Sequence, residues 1–215
     1  MRDFNNNAIE KLLQLEPSEK LLFKAFKGLK VKKKDRKSRR ILIMVCIVLG
    51  AIVGMHQDTV SIFKESVDSI LNILLGFFGI IFTGYALFQA FMNRELLFQL
   101  MTDIAKGENG EEKTRLQDIN ENFVYLMLLY VVAIIISLIT KIGLFCISYD
   151  FLLFSTLIVN NIIAEIMITG YFIFMGIILW RTISFVSSIF YLFNVYAVAQ
   201  LLEELDDGPN NNEER

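Results

Sequence analysis

Hydrophobic residues in this chain gather into long uninterrupted runs, and the charged residues gather between them. Ile41–Met55 is a run of 15, Ile70–Met92 is a run of 23 without a charge, and Phe123–Thr140 stays uncharged up to Lys141. In the longest, residues 151–180, Glu165 stands alone among Asp, Glu, Lys, Arg and His. A bilayer core about 30 Å thick takes roughly 20 helical residues at 1.5 Å each, so runs of this length predict membrane-crossing helices. The spans are expected at 41–62, 70–92, 123–141 and 151–180, the first lengthened through "HQDTVSIF", with Arg39 and Arg40 snorkelling at its other end. A charged leader of 40 residues is too long for a signal-peptide n-region, so the first run is read as a retained anchor.

A fifth apolar stretch, Thr182–Ala199, follows Arg181 with no Gly, Pro or Asn cluster to reverse the chain. Ser184, Ser187, Ser188, Tyr191 and Asn194 recur at spacings of three or four, and Ile183, Val186, Phe190 and Phe193 form another stripe. That pattern predicts a helical extension of the fourth span over 181–205, lying along the inner surface in preference to a fifth crossing. The tail 206–215 is polar and reads as disordered.

Charge orients the spans. The first 40 residues hold 13 of the 21 Lys and Arg. With four spans and both termini inside, all of the basic residues but Lys64 and Lys141 fall on the cytoplasmic side, as the positive-inside rule requires. The expected architecture is therefore all-α and polytopic: four transmembrane helices in the inner membrane of a prokaryote, a basic amphipathic helix before them and a helical extension after. Composition agrees, since 54% of residues are hydrophobic and 20% charged, against about 45–50% and about 25% in soluble domains.

The basic block consists of Lys24, Lys27, Lys30, Lys32, Lys33, Lys34, Arg36, Lys37, Arg39 and Arg40. Just ahead of it, "PSEKLLFKAFKGLK" places Leu22, Ala25, Phe26 and Leu29 on one helical face and Lys20, Lys24 and Lys27 on another. A basic amphipathic helix beside an anchor suits anionic phospholipid, each cation contributing about 1 kcal/mol. Nucleic acid is not expected, because no aromatic residues interleave with the cations as a base-stacking platform would need. Loop 93–122 nets −3 and the segment 201–215 nets −5, so the remaining cytoplasmic segments are acidic.

The second span carries the most regular pattern. Ser69, Asn72, Gly76, Gly79, Thr83, Ala86 and Ala90 recur at alternating spacings of three and four, continued by Asn93. Within lipid, apolar area gives helices little reason to associate, and close approach between small residues supplies the reason instead. The seam predicts that this helix is the packing centre, against another span or against its own copy in a homo-oligomer.

Glu165 lies about 15 residues from Asp150 and from Arg181, which places it near the bilayer midplane. An ionised carboxylate there costs about 2.5–3.5 kcal/mol on insertion scales. Asn160, Asn161 and Thr169 complete a polar stripe around it, which must face protein or water. Either the stripe hydrogen-bonds across helices, or copies of it line an aqueous path.

Enzyme chemistry has no foothold. The sequence has one histidine, no HExxH, no P-loop and no Ser-His-Asp set, and its two cysteines suggest no metal site, so no cofactor is expected. Two functions remain. One is a homo-oligomeric pore-forming or permeability-altering effector that uses the Asn161–Glu165–Thr169 stripe. The other is a non-conducting scaffold or sensor that recruits a cytoplasmic protein partner through 1–40, 93–122 or 201–215. Compact membrane proteins of bacterial defence and toxin–immunity systems come in both forms.

Overall fold

The computed structural model describes residues 17–29, 36–90, 92, 94–106, 112–146 and 156–206. Among these described residues six helices and one small hairpin follow in order: α1 (Ser18–Lys27), α2 (Arg36–Gly54), α3 (Thr59–Ala90), α4 (Arg94–Thr102), β1 (Ile104–Lys106), β2 (Glu112–Thr114), α5 (Arg115–Cys146) and α6 (Leu157–Asp206). Three of them are long and apolar enough to cross a membrane: Thr59–Ala90, Arg115–Cys146 and Ile158–Ser187. α2 is not among these, because its apolar part starts only at Ile41 and ends with the helix at Gly54.

The first expected boundary is corrected. The helix that begins at Arg36 does not run on to residue 62; it stops at Gly54, and α3 starts at Thr59. Local hydrogen bonding makes the break. The Asp58 amide donates to His56 Nδ1 at 3.1 Å, and the Thr59 hydroxyl donates to the His56 carbonyl at 2.6 Å. Such side-chain bonds offer the backbone an alternative to the helix ladder. "HQDT" therefore turns the chain, and the residues expected to lengthen the first span open the second helix instead.

Two compact units divide the chain, one up to Ile178 and one from Leu179. The core of the first lies chiefly between α3 and α5. α3 contributes Phe63, Val67, Leu71, Leu74, Ile81 and Phe88, spaced on one face. α5 answers with Phe123, Leu126, Leu129, Tyr130, Ala133 and Ser137. Phe88 stacks on Phe123 with ring centroids 5.9 Å apart, Tyr85 packs on the same ring at 5.1 Å, and Gln89 Nε2 donates to Asn120 Oδ1. At most a third of any span's apolar window is buried within the chain, so most of each span's surface is left to lipid or to other chains.

Within loop 93–122 the described residues form a helix and a hairpin. α4 docks on α5 and buries Leu100, and β1 pairs antiparallel with β2, Ile104 opposite Thr114. Thr114 then caps α5: its hydroxyl accepts the Gln117 amide at 3.3 Å, satisfying one orphan donor of the first turn. Glu121 collects Lys113 at 2.7 Å, Gln117 at 3.0 Å and Tyr125 at 3.1 Å, which ties the hairpin to the helix. α1 packs on α5, and Ala25 of α1 is buried.

In the second unit α6 continues without a break from Leu179 to Asp206, and Ile183, Val186, Phe190 and Phe193 are exposed along it. The expected N-terminal segment 1–16, the stretch 30–35, residues 151–155 and the tail from 207 onward lie outside the described residues.

Candidate functional site

The polar stripe of α6 meets α2. Cys46, Gly50 and Gly54 are spaced four apart, so one face of α2 has almost no side-chain bulk. Against that face lie Gly176, Thr169 and Glu165 in antiparallel order. A methyl group placed on Gly50 would collide with Thr169, at 2.9 Å from its Cα. One on Gly54 would stand 3.1 Å from Glu165 Cγ, and one on Gly176 would stand 2.8 Å from Cys46 Sγ. Backbones this close are what small-residue spacing permits in lipid, where packing and not water drives association.

Of the four residues expected to form a polar path, this contact brings Glu165 and Thr169 together on α2. The Asn160 amide bonds the carbonyl of Thr156, the residue before α6, at 3.2 Å, and Asn161 is exposed. The Glu165 side chain rests on Gly54, the last residue of α2, two positions before the His56 turn. The signal that was passed over is "GAIVG", a GxxxG preceded at the same spacing by Cys46.

A second polar group joins three helices near the same end. Ser137 Oγ of α5 and Tyr171 Oη of α6 share a hydrogen bond of 2.9 Å, both side chains being buried. The Tyr171 ring meets Phe63 of α3 edge-on at 5.5 Å. One turn along α5, Lys141 Nζ stands 2.8 Å from Asp68 Oδ1 of α3, an oxygen shielded from solvent that makes no well-directed hydrogen bond. Lys64 Nζ sits 4.7 Å from the Phe145 ring centre. These contacts clamp α3, α5 and α6 together. They offer no nucleophile with an adjacent base, and among the described residues no group of three or more His, Cys, Asp or Glu could hold a metal.

The seam of α3 points away from all of this. Ser69, Asn72, Gly76, Gly79, Thr83, Ala86 and Ala90 are all exposed, and among the described residues nothing lies within 4 Å of where a methyl would sit on Gly76, Gly79 or Gly84. Within the chain, α3 packs through its opposite, bulky face. Among the basic residues, Lys27, Arg36, Lys37 and Arg40 are exposed, Lys24 is half-buried, and Arg39 donates to the Leu29 carbonyl at 2.8 Å; Lys30, Lys32, Lys33 and Lys34 lie outside the described residues. Comparison with protein-family models, curated proteins and solved structures returns no match.

Proposed function

We propose that this chain is the protomer of a homo-oligomeric helical bundle in the cytoplasmic membrane, joined through the α3 seam and acting as a non-conducting scaffold. The observation that carries the reading is the exposure of that seam over its whole length, from Ser69 to Ala90, while the opposite face of α3 makes the intrachain core. Asn72 and Ser69 would be poorly placed against acyl chains, and a second copy of the seam supplies both close approach and hydrogen-bond partners. On this reading α2 counts as the first of four spans, with both termini inside. Its apolar part is short for a bilayer, and its antiparallel contact along α6 from Gly176 to Glu165 supports a crossing with Arg39 and Arg40 snorkelling. α4 and the β1–β2 hairpin then lie in the cytoplasm as the surface for a protein partner.

The pore reading survives in a changed form. Glu165 and Thr169 are covered by α2, so they make poor pore walls; the outward Ser69, Asn72 and Thr83 are the polar groups an oligomer could turn onto a central axis. One set of liposome experiments separates the readings. With Cys46 and Cys146 replaced by serine, Gly79→Cys is expected to give disulfide-linked dimers in bilayers, and Gly79→Leu to abolish association. Single chains at every protein-to-lipid ratio would defeat the proposal. Ion or dye flux that Asn72→Leu removes would favour the pore, and the absence of flux favours the scaffold.

A further inference from the structure

We propose that α1 is an interfacial helix that binds the anionic phospholipid of the leaflet α2 enters, with Phe23 and Phe26 inserted among the headgroups. Sequence periodicity alone put Phe26 on the same apolar face as Ala25. The structure divides that face. Ala25 is 1% exposed against the rest of the first unit, whereas Phe23 is 74% and Phe26 42% exposed. At 3.6 residues per turn Phe23 points about 160° away from Ala25, and Phe26 about 60° from Phe23, so the two rings share the flank that leaves the protein. Lys20 and Lys27 are exposed beside them.

Position identifies the occupant. Arg39 Nη1 holds the Leu29 carbonyl at 2.8 Å, and Arg39 lies two residues before the apolar run that starts at Ile41. The C-terminal end of α1 is therefore tied to the level at which α2 leaves the headgroups. A helix fixed there, with two bare aromatic rings flanked by lysines, meets phospholipid. Aromatic rings and lysine stems suit that layer, which is apolar on one side and wet on the other, and the cations answer the negative surface of an anionic leaflet. Exposed Arg36, Lys37 and Arg40 continue the same positive surface onto the start of α2. The one exposed acid of α1, Glu19, sits at the opposite end from this junction. The inference rests on α2 crossing the membrane, as proposed above, and stands whether or not the α3 seam forms an oligomer.

Fluorescence tests it in the full-length protein. The chain has a single tryptophan, so Phe23→Trp in a Trp180→Phe background reports on one site, with Phe26→Trp as a second reporter. The protein is reconstituted into vesicles of phosphatidylcholine, with or without phosphatidylglycerol. In anionic vesicles the expected result is a blue-shifted emission, quenching by lipids brominated near the headgroup, and loss of quenching by aqueous iodide. Lys20→Glu with Lys27→Glu should reverse all three. Iodide quenching that persists in anionic vesicles would overturn the proposal, as would equal brominated-lipid quenching in both vesicle types. Protection from iodide without brominated-lipid quenching would assign the face to protein instead, and would equally overturn it.

Discussion

Gly50→Ala tests the α2–α6 contact where it is tightest. The added methyl would lie 2.9 Å from both Cα and Cβ of Thr169. Non-bonded carbons rest at about 3.5–4.0 Å, so the helices must part by roughly 0.6–1 Å along that line. Overpacking of this kind costs about 1–3 kcal/mol, and alanine returns up to about 1 kcal/mol through its better helix propensity. One of the obstructing atoms is main chain and cannot rotate away, so the upper part of the range applies, for a net loss of about 1–2 kcal/mol. Gly176→Ala meets a different obstacle. The near atom is Cys46 Sγ at 2.8 Å, and the next, Leu42 Cδ1 at 3.7 Å, is in ordinary contact.

The two sites therefore differ in rescue. Cys46→Ala removes the sulfur and should restore the stability of Gly176→Ala almost fully. Thr169→Ala removes the hydroxyl and methyl but leaves Cα in place, so it should restore Gly50→Ala only in part. Gly76→Ala, facing open space, should be neutral or stabilising by about 0.5–1 kcal/mol within the monomer. Equilibrium unfolding by SDS in mixed micelles measures all of these, and the double-mutant cycles isolate each pair. If Gly50→Ala proves as stable as Gly76→Ala, or Thr169→Ala rescues it completely, the steric account of the α2–α6 contact is wrong.

Three further changes probe the rest of the first unit. Ser137→Ala and Tyr171→Phe should show a coupling of about 0.6 kcal/mol in a double-mutant cycle and no more than about 1.7, the range measured for interhelical bonds in lipid. The side chains of Asp68 and Lys141 are 39% and 43% exposed, so Asp68→Asn should cost less than about 1 kcal/mol, a loss that disappears at high salt. Thr114→Val removes the cap of α5 and should cost about 1 kcal/mol, seen as faster amide exchange at Arg115–Gln117 while the rest of α5 is unchanged.

The membrane class was legible because it rests on run length, and no tertiary contact alters the length of an apolar run. The seam of α3 was legible as a pattern but not as a partner. Period tells which residues share a face and leaves open which face turns toward the chain. Bulky Leu71, Leu74 and Ile81 fill the space against α5, where small residues would leave voids, so the seam points outward. The α2–α3 turn was hidden for another reason. His56, Asp58 and Thr59 make it through local hydrogen bonds just after Gly54, and side-chain bonds of this kind leave no mark in hydropathy.

Glu165 shows how register escapes a one-dimensional reading. Hydropathy gives a helix a length, but its position along its neighbours comes from residues far away in sequence. Here Gly50, Gly54 and Gly176 set the register, since a methyl on any of them would come within 3.1 Å of an atom on the facing helix. That alignment holds the stem of Glu165 against Gly54, the last residue of α2. With α2 crossing the membrane as proposed, its end lies near a bilayer face, where an ionised group needs no aqueous path to justify it. Glu165→Gln should then leave insertion, association and any flux unchanged, whereas Gly54→Leu, which pushes α6 away from α2, should disturb all of them. A large effect of Glu165→Gln on flux would return the carboxylate to a water-filled interior and refute the register argued from the glycines.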